Sequence, residues 1–414
     1  MNMHDVTSAP ESAGLLSDLI ARQQPGWSLA QPFYLSPEIY VIERKGWLAD
    51  QWYLIGHASE LPTPKSVIVR ELLGEPILIV RDEDGTLRGF YNVCRHRGSR
   101  LCSEDGRVSN LLCPYHAWTY RFDGALRSAP SMPDTMDRSA FHLQRINVAE
   151  IGGLVLASLS GSLDAVDKVR AQGEDLLAYH GLPNARIAYR KSYPTHANWK
   201  LVMENFFECY HCLPSHPEFS SVMNFVSVIG KVPSAAAAEK WEKEVAEWSE
   251  GRANRECPMP DFGSDFNKVA DSNTYRLPIG NGHLTASRDG QPVAPLMGGQ
   301  KAFDGGMSGF RMEPFVNVVA YNDHVRLIHF LPKGPEETDV SITWLVDADA
   351  APDDIDIDRM IWLWDVTTVQ DKKIIEENAA GVRSRAYASG PYSPLESLAS
   401  GFVQTYLDGL RGNL

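Results

Sequence analysis

The spacing of apolar positions changes character several times along the chain. SAGLLSDLIARQ (12–23) carries a short amphipathic pattern. Pro-rich extended sequence follows, and PEIYVIERKGWLADQW (37–52) predicts a helix. From about residue 53 to 160 the apolar runs shorten and read as strands: SVIVREL, EPILIVRD, LRGFYNV, NLLCPYH, WTYRFD and GLVLASL. Turn signals such as DEDG (82–85) and FDG (122–124) separate them, as hairpins in a small antiparallel domain require. Gly98 and Gly124 read as turn residues.

Beyond residue 161 the pattern is mixed. A helix is predicted at DAVDKVRAQGEDLLAYHG, a strand at RIAYRKSYPTH, and one long helix at NWKLVMENFFECYHC (198–212). Residues 230–310 are polar and weakly periodic, which suggests a lid or insertion. Strands return at FVNVVAYN, HVRLIHFLP and DVSITWLVDA, and a long helix is expected from about Asp353 to Ala380. No internal repeat is present. The order of elements predicts an α+β protein: a segment 1–45 packing on the second domain, a small all-β domain at 46–160, and a domain with an antiparallel sheet at 161–414.

Composition narrows the function. The 414 residues are 43% hydrophobic and 22% charged, as expected for a globular protein, and 39 basic against 53 acidic residues give a formal charge of -14. That balance argues against nucleic acid as a partner, because phosphate binding needs clustered Lys and Arg. The start of the chain has no basic segment followed by an apolar one, and IGGLVLASL (151–159) is far shorter than a spanning helix, so a cytoplasmic protein without membrane partners is expected. In that compartment the six cysteines read as thiols or metal ligands, with Cys102 an unligated thiol.

Cys94, His96, Cys113 and His116 form the pattern C-x-H-x16-C-x2-H. Two thiolates and two imidazoles fit tetrahedral zinc, and they also fit a Rieske [2Fe-2S] cluster in which cysteines hold one iron and histidines the other. Zinc fingers usually pair like with like. Here each loop supplies one Cys and one His, which suits a two-metal cluster.

A second constellation lies at NWKLVMENFFECYHCLPSHPEF (198–219). On a helix Glu208 and His211 share a face, and Pro214 is expected to end that helix so that His216 folds back toward His211. Two histidines with one carboxylate make the facial triad of non-haem Fe(II) oxygenases. The carboxylate candidates on the last helix are Asp371 and Asp365.

CRHRGSRLC with CPYHAWTY, and N-W-K-L-x-x-E-N-x-x-E-C-Y-H-C-x-x-x-H-P, resemble the signatures of Rieske non-haem iron oxygenase α subunits. The motifs are closest to the glycine betaine, carnitine and stachydrine oxygenase branch. The resemblance implies a [2Fe-2S] Rieske domain, a helix-grip catalytic domain holding mononuclear Fe(II), and a homotrimer. It places the carboxylate ligand at Asp371, within Q-D-K-x-I-x-E, and gives Glu208 the role of bridging His211 to His116 of a neighbouring subunit. Asn205 is implied to stand near the iron, and relatives often carry Gln where this chain has Ala379.

Neither G-x-G-x-x-G nor C-x4-C-x2-C occurs, so electrons are expected from a separate flavin and ferredoxin-type reductase using NAD(P)H. The resemblance implies O2-dependent hydroxylation and N-demethylation of a small quaternary ammonium compound such as glycine betaine, with Phe206, Phe207 and Tyr210 available for a cation cage. Two readings compete with it: ring hydroxylation or O-demethylation of an aromatic acid, and an electron-transfer or regulatory protein without oxygenase activity.

Overall fold

A computed structural model describes residues 9–223, 235–251 and 274–412. Two antiparallel sheets dominate it. The first has the order β1-β10-β9-β4-β3-β2-β5, built from β1 (Tyr53–His57), β2 (Ser66–Leu72), β3 (Glu75–Arg81), β4 (Leu87–Tyr91), β5 (Gly106–Arg107), β9 (Arg145–Ile151) and β10 (Leu154–Ser158). A three-stranded sheet, β6 (Leu111–Leu112), β7 (Thr119–Tyr120) and β8 (Leu126–Ser128), lies beside it. Both faces of the larger sheet are covered, which explains the unbroken apolar run in β3. Ile77 and Ile79 enter the main core, while Leu78 and Val80 face the cluster containing Cys94, Cys113 and Trp118.

The second sheet has the order β11-β16-β15-β14-β13-β12, with β11 (Ala185–Thr195), β12 (Thr274–Pro278), β13 (Gly306–Met312), β14 (Val316–Ala320), β15 (Val325–Gly334) and β16 (Glu337–Asp347). Alternation along β15 divides its side chains. Val325 and Leu327 pack with Val166 and Leu177 of the helix Leu163–Tyr179 and with Leu154 and Leu156 of the first sheet. Ile328 and Phe330 face the core containing Met360, Ile375 and Val382 of the long helix Ile357–Val382. That helix starts at Asp356, whose side chain accepts the Arg359 N–H, a few residues later than the sequence pattern suggests.

A fully buried ion pair ties residues near both ends of the described chain to the helix Trp199–Phe206. Lys200 Nζ donates to Glu43 Oε1 at 2.7 Å, Trp199 Nε1 donates to Glu43 Oε2 at 3.0 Å, and the Tyr406 hydroxyl also donates to Glu43. Among the described residues no helix is long and apolar enough to cross a membrane.

Three expectations need correction. The helix anticipated at 37–52 breaks at Gly46 into Pro37–Lys45 and Trp47–Asp50. Residues 230–310 are more than an insertion, because they supply the helix Ala235–Gly251, edge strand β12 and the start of β13. Parts of that segment, 230–234 and 252–273, lie outside the described residues.

The third correction falls on 198–212. The helix runs only from Trp199 to Phe206, and short turns at Cys212–Ser215 and Pro217–Val222 follow. Glu208 explains the break, because its carboxylate accepts the backbone N–H groups of Tyr210 and His211 and so replaces helical hydrogen bonds. Pro214 sits inside the first short turn. It is Pro217 that sets the second bend, pushing His216 out of the helical region to φ -127°, ψ 73°.

Candidate active site

The two Cys/His loops share one backbone frame. Cys94 N–H donates to Ser99 O and Cys113 N–H to Trp118 O, each at 2.8 Å; Gly98 N–H returns to Cys94 O at 3.0 Å and Ala117 N–H to Cys113 O at 3.1 Å. The residue four after each cysteine has positive φ, 81° at Gly98 and 58° at Ala117. Gly98 is therefore a turn residue, as is Gly124 at φ 89°.

These twin turns bring the His96 and His116 rings to 4.7 Å between centroids. Trp118 stacks on His96 and Tyr115 lies against His116. The Tyr120 hydroxyl is 3.3 Å from Cys94 Sγ and accepts the Arg95 N–H at 3.0 Å. Cys94 and Cys113 are buried, and the Nδ1 atoms of His96 and His116 are buried without a hydrogen-bond partner. Buried imidazole nitrogens normally find a partner. Two of them orphaned beside two buried sulfurs fit a group that bonds all four, as a [2Fe-2S] cluster does.

The second site converges on one oxygen. His216 Nε2 lies 2.9 Å and His211 Nε2 3.3 Å from Asp371 Oδ1, and the donor atoms of the three residues fall within 4.8 Å of one another. Neighbours fix both tautomers. Gln370 donates its amide NH2 to Glu218 Oε2 at 2.7 Å, so its carbonyl oxygen faces His216 Nδ1 at 2.9 Å and requires a proton there. Glu208 can only accept, so His211 Nδ1 also carries hydrogen.

Both Nε2 atoms then face one carboxylate oxygen, where either protons or one shared cation balance the charge. Metal-ligating histidines are held in this way by a carboxylate or amide on the far nitrogen. Burial pushes the Asp371 carboxyl up, but hydrogen bonds from His211 and His216 outweigh it and hold it below the ordinary range. Burial likewise opposes charge on His211, yet Asp371 and Glu208 raise it to about 9.

Asn205 Nδ2 stands 3.4 Å from His211 Nε2. Asp365 is engaged elsewhere, accepting from Lys191 Nζ at 2.6 Å and the Tyr193 hydroxyl at 2.7 Å. Ala379 is packed in the apolar core. Cys102 is a free thiol, but the expectation of thiols fails at Cys209 and Cys212, which form a disulfide bracketing Tyr210 and His211.

The triad borders a cavity of about 500 Å³ between the inner face of the second sheet and the long helix. Phe206 and Phe207 line it, whereas Tyr210 is 50% exposed and does not. Sequence reasoning missed Tyr275, Asn317, Arg326 and Trp364 in its walls, and Gln370 behind His216. All but Tyr275 lie on elements predicted as strand or helix, and only the folded sheet aims them at the cavity.

Residues 51–147 match the Rieske [2Fe-2S] domain, and residues 182–412 match the ring hydroxylating alpha subunit catalytic domain. The chain belongs to the ring-hydroxylating α subunit family, oxidoreductases that use O2 with a [2Fe-2S] cluster and a mononuclear iron.

Within that family it is 34% identical over 406 residues to the glycine betaine monooxygenase oxygenase subunit of Chromohalobacter salexigens, covering 96% of this chain and 89% of that one. The carnitine monooxygenase oxygenase subunit of Escherichia coli is 35% identical over 211 residues, covering 50% of this chain and 56% of that one. A solved quaternary ammonium Rieske monooxygenase, described in terms of carnitine oxidation by gut microbiota and inter-subunit electron transfer, shares the fold. Its TM-score is 0.69 at 23% identity, covering 95% of this chain and 98% of that one.

Proposed function

We propose that this chain is the terminal oxygenase of a multicomponent monooxygenase that removes an N-methyl group from a small quaternary ammonium compound, with glycine betaine as substrate. The observation that carries the reading is the convergence of His211, His216 and Asp371 on one cation position at the wall of an aromatic-lined cavity. The glycine betaine relative, similar over nearly the whole chain, supports the substrate.

In this reading Cys94, Cys113 and the Nδ1 atoms of His96 and His116 hold the cluster, and His211, His216 and Asp371 hold the iron. The iron, when bound, supplies O2 activation and hydroxylation of a C–H bond. The protein's part is to hold a proton on each Nδ1, through Glu208 and Gln370, so that Nε2 is the nitrogen offered to the metal, and to keep the methyl group in a cavity walled by Phe206, Phe207 and Trp364. One methyl C–H becomes C–OH, and the second oxygen atom leaves as water with two electrons and two protons taken up. The hydroxymethyl C–N bond then breaks as the hydroxyl loses its proton, releasing formaldehyde and the tertiary amine.

The electrons come from a separate NAD(P)H-dependent flavin and ferredoxin-type reductase, in the cytoplasm. Glu208 links His211 to His116 of the partner subunit in a homotrimer, a role consistent with its contact to His211 Nδ1. Residues 46–160 form the cluster domain and 161–414 the catalytic domain, with 1–45 packed on the latter. Chemically reduced protein given glycine betaine and O2 is the test. Dimethylglycine with stoichiometric formaldehyde is expected, and no product from betaine, carnitine, choline or stachydrine refutes the substrate class.

A further inference from the structure

Arg326 is 2% exposed, yet its Nε and Nη1 have no hydrogen-bond partner among the described residues. Arg311, the other arginine lining the cavity, is paired with Glu313 at 3.7 Å. Arg326 instead lies over the Trp364 ring, its guanidinium carbon 4.1 Å from the centroid. Trp364 is fixed in turn by its Nε1 donating to the Tyr321 hydroxyl at 3.0 Å. Burial lowers the Arg326 pKa to about 10, so it remains charged at neutral pH.

A buried charge without a partner is expensive, and proteins keep one where a ligand completes it. Arg326 borders the same cavity as the iron triad, on the face of β15 shared with Ile328 and Phe330. Across the strand pair, the buried Asn317 Oδ1 is likewise unpartnered and lines the cavity. Trp364 and Asp371 are two turns apart on one face of the long helix, roughly 10 Å along its axis at 1.5 Å per residue. That span matches a short molecule with an anionic group at one end and the reacting methyl at the other.

We propose that Arg326 recognises the substrate carboxylate, so that the cavity takes N-methylated amino acids in preference to the corresponding alcohols. The inference rests on the reading of this cavity as the substrate site, and it names the half of the substrate that the triad does not touch. The guanidinium, held over Trp364 at the cavity wall, has unpartnered N–H groups that a carboxylate entering the cavity would engage in the paired geometry that arginine favours.

The test uses the iron-loaded, cluster-containing protein and two matched probe pairs measured by calorimetry: glycine betaine against choline, and benzoate against benzamide. Wild type is expected to bind the carboxylate member of at least one pair at least about tenfold more tightly. Arg326→Gln should abolish that preference, weakening the carboxylate member on the order of 30-fold, while Arg326→Lys keeps part of it. Arg326→Met removes an uncompensated charge and should melt at or above the wild-type temperature.

A carboxylate preference that survives in Arg326→Gln, its absence from wild type in both pairs, or an Arg326→Met protein melting well below wild type overturns the proposal. Failure of the N-demethylation reading is seen separately. Formaldehyde would then be missing from every quaternary ammonium substrate even while Arg326 still governs benzoate binding.

Discussion

Gln370 and Asp371, consecutive on one helix, engage opposite nitrogens of the same imidazole: Gln370 Oε1 lies 2.9 Å from His216 Nδ1, and Asp371 Oδ1 lies 2.9 Å from Nε2. The first contact sets the tautomer that the second uses. Because Gln370 is itself oriented by Glu218, that carboxylate reaches the candidate iron site through two hydrogen bonds.

Gln370→Leu should therefore weaken Fe(II) binding by about 10- to 100-fold while leaving the cluster untouched. Anaerobic Fe(II) titration alongside the visible absorption of the cluster measures both. Unchanged iron affinity would mean that the amide does not orient His216.

Asp371→Ala is expected to lose mononuclear iron and all product formation with cluster content unchanged. Asp365→Asn should retain iron, because that carboxylate serves Lys191 and Tyr193. Metal analysis of the two purified variants separates the candidates, and iron loss in Asp365→Asn alone would reverse the assignment.

Glu208→Gln should keep both cofactors but slow product formation by at least about tenfold, since it alters the group between His211 and the proposed neighbouring cluster. Mixed oligomers give a sharper readout. Subunits lacking cluster function through His116→Ala, combined with subunits lacking iron through His211→Ala, should regain activity only if electrons cross between chains.

His329 links the two sheets as a neutral ring: Nδ1 donates to Leu54 O at 2.9 Å and Nε2 accepts from Thr343 Oγ1 at 3.2 Å. Burial lowers its pKa to about 4. The unfolded state, with an ordinary value near 6.5, binds more protons between these limits, so this contribution to stability is present above about pH 6.5 and is lost as pH falls toward 4. Thermal melts over that range should decline for wild type. His329→Gln should start less stable at neutral pH and decline less steeply.

The candidate cluster residues are legible because ligation requires short local spacings, and the repeated turn around Cys94 and Cys113 is encoded within six residues of each cysteine. The two candidate iron histidines are legible as a motif, but their geometry is not. Periodicity runs a helix through Glu208, and only the competition of that carboxylate for the Tyr210 and His211 N–H groups ends it. The Cys209–Cys212 bond falls in the same stretch, where spacing alone does not distinguish paired from free thiols.

Arg326 was invisible for a different reason. HVRLIHFLP reads as a strand whichever face carries the arginine, and its setting depends on Trp364 and Tyr321, brought to it by tertiary packing. Local pattern reports elements; cavity walls are made where elements from distant sequence meet.

In the proposed reaction, substrate bound beside His211, His216 and Asp371 would be what triggers electron transfer from the cluster and hydroxylation of an N-methyl group. Reduced protein mixed with O2 should be followed by cluster absorbance and quenched formaldehyde together, with and without glycine betaine. Betaine is expected to accelerate cluster reoxidation and to yield about one formaldehyde per iron site. Cluster reoxidation at the same rate without betaine, with no formaldehyde in its presence, would overturn the N-demethylation reading.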